Sequence, residues 1–257
     1  MTTRVALVTG GSRGIGRAIA LAYAREGLAV AVAARGRETA EATAAAIGAA
    51  GGTAVAVTLD VADAASVATA VARAVAKLGP IDVLVNNAGV AESAPFAKTS
   101  PEMWELHLRV NVTGPYLATR AVLGGMLERG WGRVINIASL AGLFGAPYVA
   151  AYTASKHALV GLTRALATEV SGKGVTVNAI CPGFAATDMV WNGARNIVAK
   201  TGRSFDDAVA SLAQLNPGRR LIEPDEVADT AVRLLRDDTT NGETVVLDGS
   251  APPRRTP

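Results

Sequence analysis

Val5-Ala-Leu-Val-Thr9-Gly10-Gly11-Ser12-Arg13-Gly14-Ile15-Gly16 decides how the rest of this chain is read. The first five residues are an apolar, β-prone run, and the last seven are a glycine-rich turn. Residues 17–25 then carry Ile19, Ala20, Tyr23 and Ala24 at helical spacing. Strand, glycine turn and helix in direct succession is the context in which a dinucleotide pyrophosphate is held. The glycines permit a tight turn and let the backbone approach the phosphates. The start of the helix offers unpaired N–H groups to the anion. The spacing is G-x-x-x-G-x-G and not the commoner G-x-G-x-x-G, and a glycine cluster alone is equally an ordinary loop. The strand before it and the helix after it favour nucleotide binding.

The same alternation continues along the chain. Strands are predicted over residues 5–9, 28–34, 53–59, 82–86, 133–138, 175–180 and 244–247. Several are near-continuous apolar runs, as parallel strands buried on both faces require. Helices are predicted over 17–25, 38–50, 64–78 and 101–128, the last interrupted near Gly114-Pro115. Repeated βα units predict an α/β fold: one Rossmann-type, doubly wound, parallel seven-stranded sheet over residues 1–257, with helices on both faces. Residues 184–221 break the pattern, with Met189, Trp191, Ile197, Val198, Phe205, Val209 and Leu212 set amid glycine and asparagine. The segment reads as a substrate lid, against the plainer reading of a surface excursion. The proline- and arginine-rich tail, 251–257, is expected to fray or to lie on a neighbouring subunit.

Composition narrows the function classes. Half of the 257 residues are hydrophobic and 18% are charged, which excludes a disordered chain. The net charge of +3 comes without a basic block, so nucleic acid is not implied. Cys181 is the single cysteine, which excludes an internal disulfide and fits a reducing compartment. No apolar run reaches the length of a membrane span. Met-Thr-Thr-Arg-Val leads at once into the first strand and leaves no room for a secretory leader, so a cytoplasmic location is expected.

Tyr152-Thr-Ala-Ser-Lys156 carries the chemistry. Tyrosine and lysine at i and i+4 share a helix face. A phenol with its ordinary pKa near 10 is a poor proton-transfer group at pH 7, and a nearby ammonium lowers that value. Such a pair alone is more often an aromatic packed under a solvated amine. Ser139 closes the fifth strand, which puts its hydroxyl at the carboxyl edge of the sheet, where open α/β sheets bind ligands. Asn111 lies inside a helix, where asparagine is unfavourable. Its side chain, or a backbone carbonyl freed by a local kink, could hold a water. His107 and His157 lack ligand-spaced partners, so both read as surface or packing residues and no metal is expected.

Together these motifs resemble the short-chain dehydrogenases/reductases. The matching residues are 9–16, Asp60-Val61, Asn86-Asn87-Ala88-Gly89, Asn111, Ser139, Tyr152 with Lys156, and Pro182-Gly183. Within the family, residues 125–133 and 179–184 are most similar to β-ketoacyl reductases and aromatic-polyketide ketoreductases. The Pro-Gly-Gly run of the latter is absent, and Val90-Ala-Glu-Ser93 stands there. The resemblance implies a catalytic tetrad. Tyr152 would donate a proton to the carbonyl oxygen, Lys156 would lower its pKa and hold the nicotinamide ribose, Ser139 would bind the substrate oxygen, and Asn111 would anchor a water.

For the cofactor, the resemblance implies contacts from Gly10, Ser12, Arg13, Gly14, Ile15, Gly16, Asp60, Val61, Asn87, Ala88, Gly89, Pro182, Gly183 and Thr187, besides Tyr152 and Lys156. A carboxylate closing the second strand would select NAD. Here Ala34 occupies that place, Arg35 follows, and Arg37 and Arg13 are near. Guanidinium groups suit a 2′-phosphate, so NADP(H) is expected. Leu140, Phe144, Val149, Phe184, Met189 and Trp191, with Leu143 and Tyr148, could line an apolar substrate pocket; alternatively, half of them are core. The expected activity is reduction of a β-ketoacyl, polyketide or other bulky ketone. The alternatives are an NAD-linked dehydrogenase of 3-hydroxyacyl-CoA or another secondary alcohol, and a non-catalytic dinucleotide sensor. Arg129, Arg133 and Lys173 could steer an acidic acyl carrier protein. Apolar residues around 152–169 and 117–123 exceed what one sheet face can cover, which predicts a homotetramer, with a dimer as fallback.

Overall fold

The computed structural model describes residues 3–250 and the backbone of 254–256. The strands are β1 (Val5–Thr9), β2 (Ala29–Ala34), β3 (Ala54–Thr58), β4 (Val83–Asn86), β5 (Gly132–Ile137), β6 (Val175–Pro182), β7 (Thr244–Leu247) and β8 (Arg254–Thr256). Their order in the sheet is β3-β2-β1-β4-β5-β6-β7-β8. The first seven are mutually parallel, as expected. An eighth pairs antiparallel with β7. The tail expected to fray thus contributes an edge strand at 254–256, because β7 otherwise presents an unpaired row of N–H and C=O groups. Residues 251–253 and 257 of that tail lie outside the described residues.

Side-chain alternation along the strands builds two cores. In β1, Ala6 and Val8 face one layer, while Val5 and Leu7 face the other. The first layer is covered by α1 (Gly14–Arg25), α2 (Arg37–Ala49) and α9 (Pro224–Arg236). The second is covered by α3 (Ala64–Leu78), α5 (Gly114–Glu128) and α6 (Ala150–Glu169). A buried polar ladder fixes α5 and α6 against the sheet. Asn86 donates to Thr119 at 3.1 Å and to Asn136 at 2.8 Å, and Asn136 donates to Thr163 at 2.8 Å. Each link pairs a donor with an acceptor in a dry setting, so the ladder specifies register as well as packing.

The long helix breaks earlier than the sequence suggests. α4 (Pro101–Leu108) starts on a Ser100 cap, whose hydroxyl accepts from the Met103 amide at 3.2 Å. A π turn follows at Arg109–Thr113 and contains Asn111. Gly114-Pro115 is therefore not the break but the first turn of α5. Proline is tolerated there because its missing N–H is one the helix start leaves unpaired. Glycine is required there because a Cβ would lie 2.9 Å from Val61.

Beyond β6, residues 184–221 fold into two helices, α7 (Asp188–Thr201) and α8 (Phe205–Ala213), packed through Trp191 and Phe205 at 6.3 Å between ring centroids. Buried Asn216 ties the root of this excursion together. It accepts from the Phe184 amide and donates to the carbonyls of Phe184 and Arg220.

Candidate active site

The sheet order reverses between β1 and β4, and the crevice at their carboxyl ends is where open α/β sheets take ligands. Thr9 and Asn87 build it. The Thr9 hydroxyl donates to Val85 O and accepts from the amides of Asn87 and Ala88 at 3.0 and 3.1 Å. The Asn87 side chain donates back to the carbonyls of Thr9 and Gly10. The two loops are thereby fused into one floor. Gly16 allows this closeness, since a Cβ there would lie 2.2 Å from Gly10 O. Gly14 takes φ +50° at the turn, and Ile15 packs onto the first core. The carbonyl of Ser12 accepts from Thr43.

α1 opens without a side-chain cap from Arg13 and without an acidic residue in its first turn. Its N–H groups and the positive end of its dipole are therefore offered to an anion, which fits a dinucleotide pyrophosphate. The remaining predicted cofactor residues line the same edge. Asp60 and Val61 follow β3, and Asp60 Oδ1 accepts from the Ala62 amide. Gly89 approaches Asn111 and Lys156, and Thr187 lies against Gly14. Pro182 ends β6, two residues beyond the end predicted for that strand. Gly183 follows it, packed on Asn216. Arg35 is exposed just beyond Ala34, the last residue of β2. Arg37 is paired with Glu41 at 2.7 Å and Arg13 with Asp188 at 3.1 Å. Of these three arginines, Arg35 alone has no partner among the described residues.

Ser139, Tyr152 and Lys156 converge at the ends of β5 and β6. Ser139 caps a short 3-10 turn at 140–142, its hydroxyl oxygen accepting from the Ala141 amide at 3.1 Å. That contact leaves its O–H free to donate. Tyr152 is half-buried, and Lys156 is buried with Nζ donating to Ile137 O at 2.8 Å. Burial pushes the Tyr152 phenol up, the Ser139 hydroxyl pulls it down, and Cys181 pushes it up. The lowering by Lys156 expected from the sequence is not what this geometry produces. The ammonium sits 5.7 Å from the Tyr152 ring centroid and donates one hydrogen bond to Ile137 O, and burial is the largest influence on the phenol. Burial also pulls Lys156 down to about 8, against a smaller opposing pull from Cys181.

Asn111 is fully buried, and its side chain makes three hydrogen bonds. Its Oδ1 accepts from the Val90 amide, and its Nδ2 donates to Val90 O and to Ser155 Oγ. Ser155 in turn donates to Tyr152 O at 2.7 Å. Of the two readings left open for Asn111, these contacts favour the main-chain one, because three hydrogen bonds already engage the side chain. His107 is not a surface residue: it is fully buried and meets the Tyr152 ring edge-on at 6.3 Å.

The apolar residues expected at the substrate mouth divide. Phe144, Phe184 and Met189 are exposed, Phe144 by 65%, while Leu140 and Val149 are half-buried. Leu140 reaches the Gly183 turn. Trp191 is engaged by Phe205 and serves the α7–α8 pair. Sequence reading missed Thr9 and Asn216 as site builders and Cys181 beneath the Ser139–Lys156 pair, where burial pushes its thiol up to about 11. A polar residue closing an apolar strand was the available signal for Thr9.

Arg129, Arg133 and Lys173 do not form a docking face at the site. Arg129 pairs with Asp82 and with Ile81 O, and Arg133 is buried against Trp131 and paired with Asp238. All three lie around the amino ends of β5 and β6, opposite the crevice.

A glycine-turn nucleotide crevice joined to a serine–tyrosine–lysine cluster defines a dinucleotide-dependent oxidoreductase of the α/β class. A family model described as short chain dehydrogenase matches residues 4–197, and the chain belongs to that family. It is 40% identical over 252 residues to an acetoacetyl-CoA reductase of Shinella zoogloeoides, covering 96% of this chain and 98% of that one. It is 41% identical over 254 residues to a 3-oxoacyl-acyl-carrier-protein reductase of Synechocystis sp., covering 97% of each. A solved variant of actinorhodin polyketide ketoreductase with NADPH superposes at a TM-score of 0.92, with 38% identity over 96% of each chain. Among the described residues, no helix is long and apolar enough to cross a membrane.

Proposed function

We propose that this protein reduces a ketone, of the β-ketoacyl or a bulkier apolar class, to a secondary alcohol with NADPH. The carrying observation is the convergence of Ser139, Tyr152 and Lys156 at the carboxyl edge of β5 and β6. A phenol that keeps its proton at neutral pH is an acid, and the reductive direction needs an acid at the carbonyl oxygen. NADPH, when bound, supplies the hydride. Ser139 donates its free O–H to the substrate oxygen, and Tyr152 transfers its proton to that oxygen as negative charge develops. Lys156 holds positive charge beside the phenol and favours the phenolate left after transfer. A main-chain carbonyl of the π turn around Asn111 holds the water that returns a proton. Gly10, Gly14 and Gly16 admit the pyrophosphate to the start of α1, and Arg35 takes the 2′-phosphate.

Residues 184–221 act as the lid, with Phe184 and Met189 closing on the substrate from one side and Phe144 from the other. The relatives' names support a thioester or polyketide ketone as substrate. An acyl carrier protein, if it delivers that ketone, docks near the crevice and not on Arg129, Arg133 and Lys173. A cytoplasmic location suits this chemistry. The test is NADPH consumption by the purified protein against acetoacetyl-CoA, other β-ketoacyl thioesters and bicyclic ketones. Absence of turnover with every ketone, in folded protein that binds NADPH, would defeat the proposal.

The assembly we propose is a homotetramer. Tyr116, Ala121, Ala158 and Ala165 lie exposed on α5 and α6, while Ala118, Val122, Leu159 and Val160 are buried against the fold. These exposed residues are mostly small, which lets helices of two copies approach closely. Light scattering at micromolar concentration is expected to give four times the chain mass, and a monomeric mass in active protein would reject it.

A further inference from the structure

The segment after Gly89 is held at alternate residues. Val90 exchanges two hydrogen bonds of 2.9 Å with the Asn111 amide. The Glu92 amide donates to His107 Nε2 at 3.0 Å. The Ala94 amide donates to Tyr148 O at 2.8 Å. Because Glu92 N–H is a donor, Nε2 must be the acceptor, so the ring proton sits on Nδ1 and is donated to Met103 O at 2.7 Å. Both ring nitrogens are thus engaged by backbone, inside a fully buried site. The same ring meets Tyr152 edge-on. The third anchor, Tyr148, holds φ +67°, a left-handed conformation that a tyrosine adopts only under constraint. Tyr148 precedes Tyr152 by four residues, and Gly89 abuts Lys156. The 90–94 segment therefore runs from the lysine to the loop that leads into the Tyr152 helix.

We infer that His107 is a positioning residue for the substrate mouth: its neutral imidazole pins the Glu92 backbone, making residues 90–94 a fixed wall beside Tyr152. This inference rests on the ketone-reduction reading for its kinetic consequence but not for its structural one. A buried histidine that merely fills space needs neither the acceptor nor the alternation. Losing one backbone anchor leaves the segment tied at Val90 and Ala94, so the wall loosens without leaving the site. Substrate binding suffers first, because the proton donor and the NADPH crevice are held by other contacts.

Two measurements decide it. Amide exchange on the intact protein is expected to show Val90, Glu92 and Ala94 at least about tenfold slower than Ala91 and Ser93. Kinetics then separate the ring from its acceptor. His107→Phe keeps an aromatic edge toward Tyr152 and loses the acceptor, whereas His107→Gln keeps an acceptor. For a bulky ketone, the phenylalanine variant is expected to raise KM about tenfold with kcat within about threefold, and the glutamine variant to stay within about twofold of the parent KM. NADPH dissociation constants should not move in either. Uniform exchange across 90–94 overturns the clamp whatever the activity. An unchanged KM in the phenylalanine variant, or equal damage in both variants, overturns the positioning role. If the phenylalanine variant does not fold, loss of Glu92 protection in the glutamine variant with unchanged KM serves as the overturning result. Should the parent protein reduce no ketone at all, the functional reading fails while the exchange pattern still judges the clamp.

Discussion

Tyr152→Phe is expected to lower kcat by about 10²–10⁴-fold, the usual contribution of a positioned general acid. The substitution removes one oxygen and keeps the ring that packs edge-on against His107, so the fold should be undisturbed. The lost oxygen is the one the Ser139 hydroxyl faces and the one whose proton burial retains. NADPH affinity should stay within about twofold, because the crevice from Thr9 to Gly16 is built without the phenol. Single-turnover hydride transfer and an NADPH titration on the same sample separate the two effects. A kcat near that of the parent would remove Tyr152 from the proton-donor role.

Arg35→Asp is expected to cut kcat/KM with NADPH by about 10–100-fold, matching the roughly 1.5–3 kcal/mol of a charge-assisted hydrogen bond. Activity with NADH should rise in parallel, since a carboxylate at the end of β2 would meet ribose hydroxyls. Of the three arginines at this edge, Arg35 is the one without an ion-pair partner among the described residues. Arg37 pairs with Glu41 one helical turn on, and Arg13 with Asp188 at the start of α7, both at exposed positions. Arg35 is exposed at the strand exit and has no ion-pair partner among the described residues, so it can approach a phosphate without first breaking an ion pair. Steady-state kinetics with both cofactors are the measure. Equal kcat/KM for NADPH and NADH in the parent protein would defeat the cofactor reading before the variant is made.

The arginine comparison marks where the sequence ran out. Arg13, Arg35 and Arg37 are chemically alike in a sequence, and only spatial pairing distinguishes them. Arg133 repeats the lesson more sharply. A basic residue opening a predicted strand reads as exposed at the sheet's edge, yet it stacks on Trp131 in a buried site at the end of the sheet opposite the crevice. Burial pulls its guanidinium down to about 10, which shows how much water that position has lost. The Tyr152–Lys156 pair was legible by spacing, but the sign of the phenol's shift was not. Spacing reports which groups are neighbours, whereas desolvation depends on everything packed around them.

Local chemistry determined the frame of this protein. Apolar runs of strand length alternating with alanine-rich helices force parallel strands covered on both faces. The glycine turn after β1 leads into a helix whose start carries no side-chain cap, and Ser139, Tyr152 and Lys156 fall at the carboxyl edge because βα order puts them there. These follow from the sequence because each depends on neighbours within a few residues. Tertiary structure alone decided which polar groups are spent and which are available. Asn111 is engaged by Val90 and Ser155, His107 by Glu92 and Met103, and Thr9 is shared with Asn87. It also placed the break in the long helix at the π turn instead of at Gly114, and turned part of the tail into an edge strand. Those outcomes depend on partners distant in the sequence, where one donor can satisfy one acceptor only once the chain has folded.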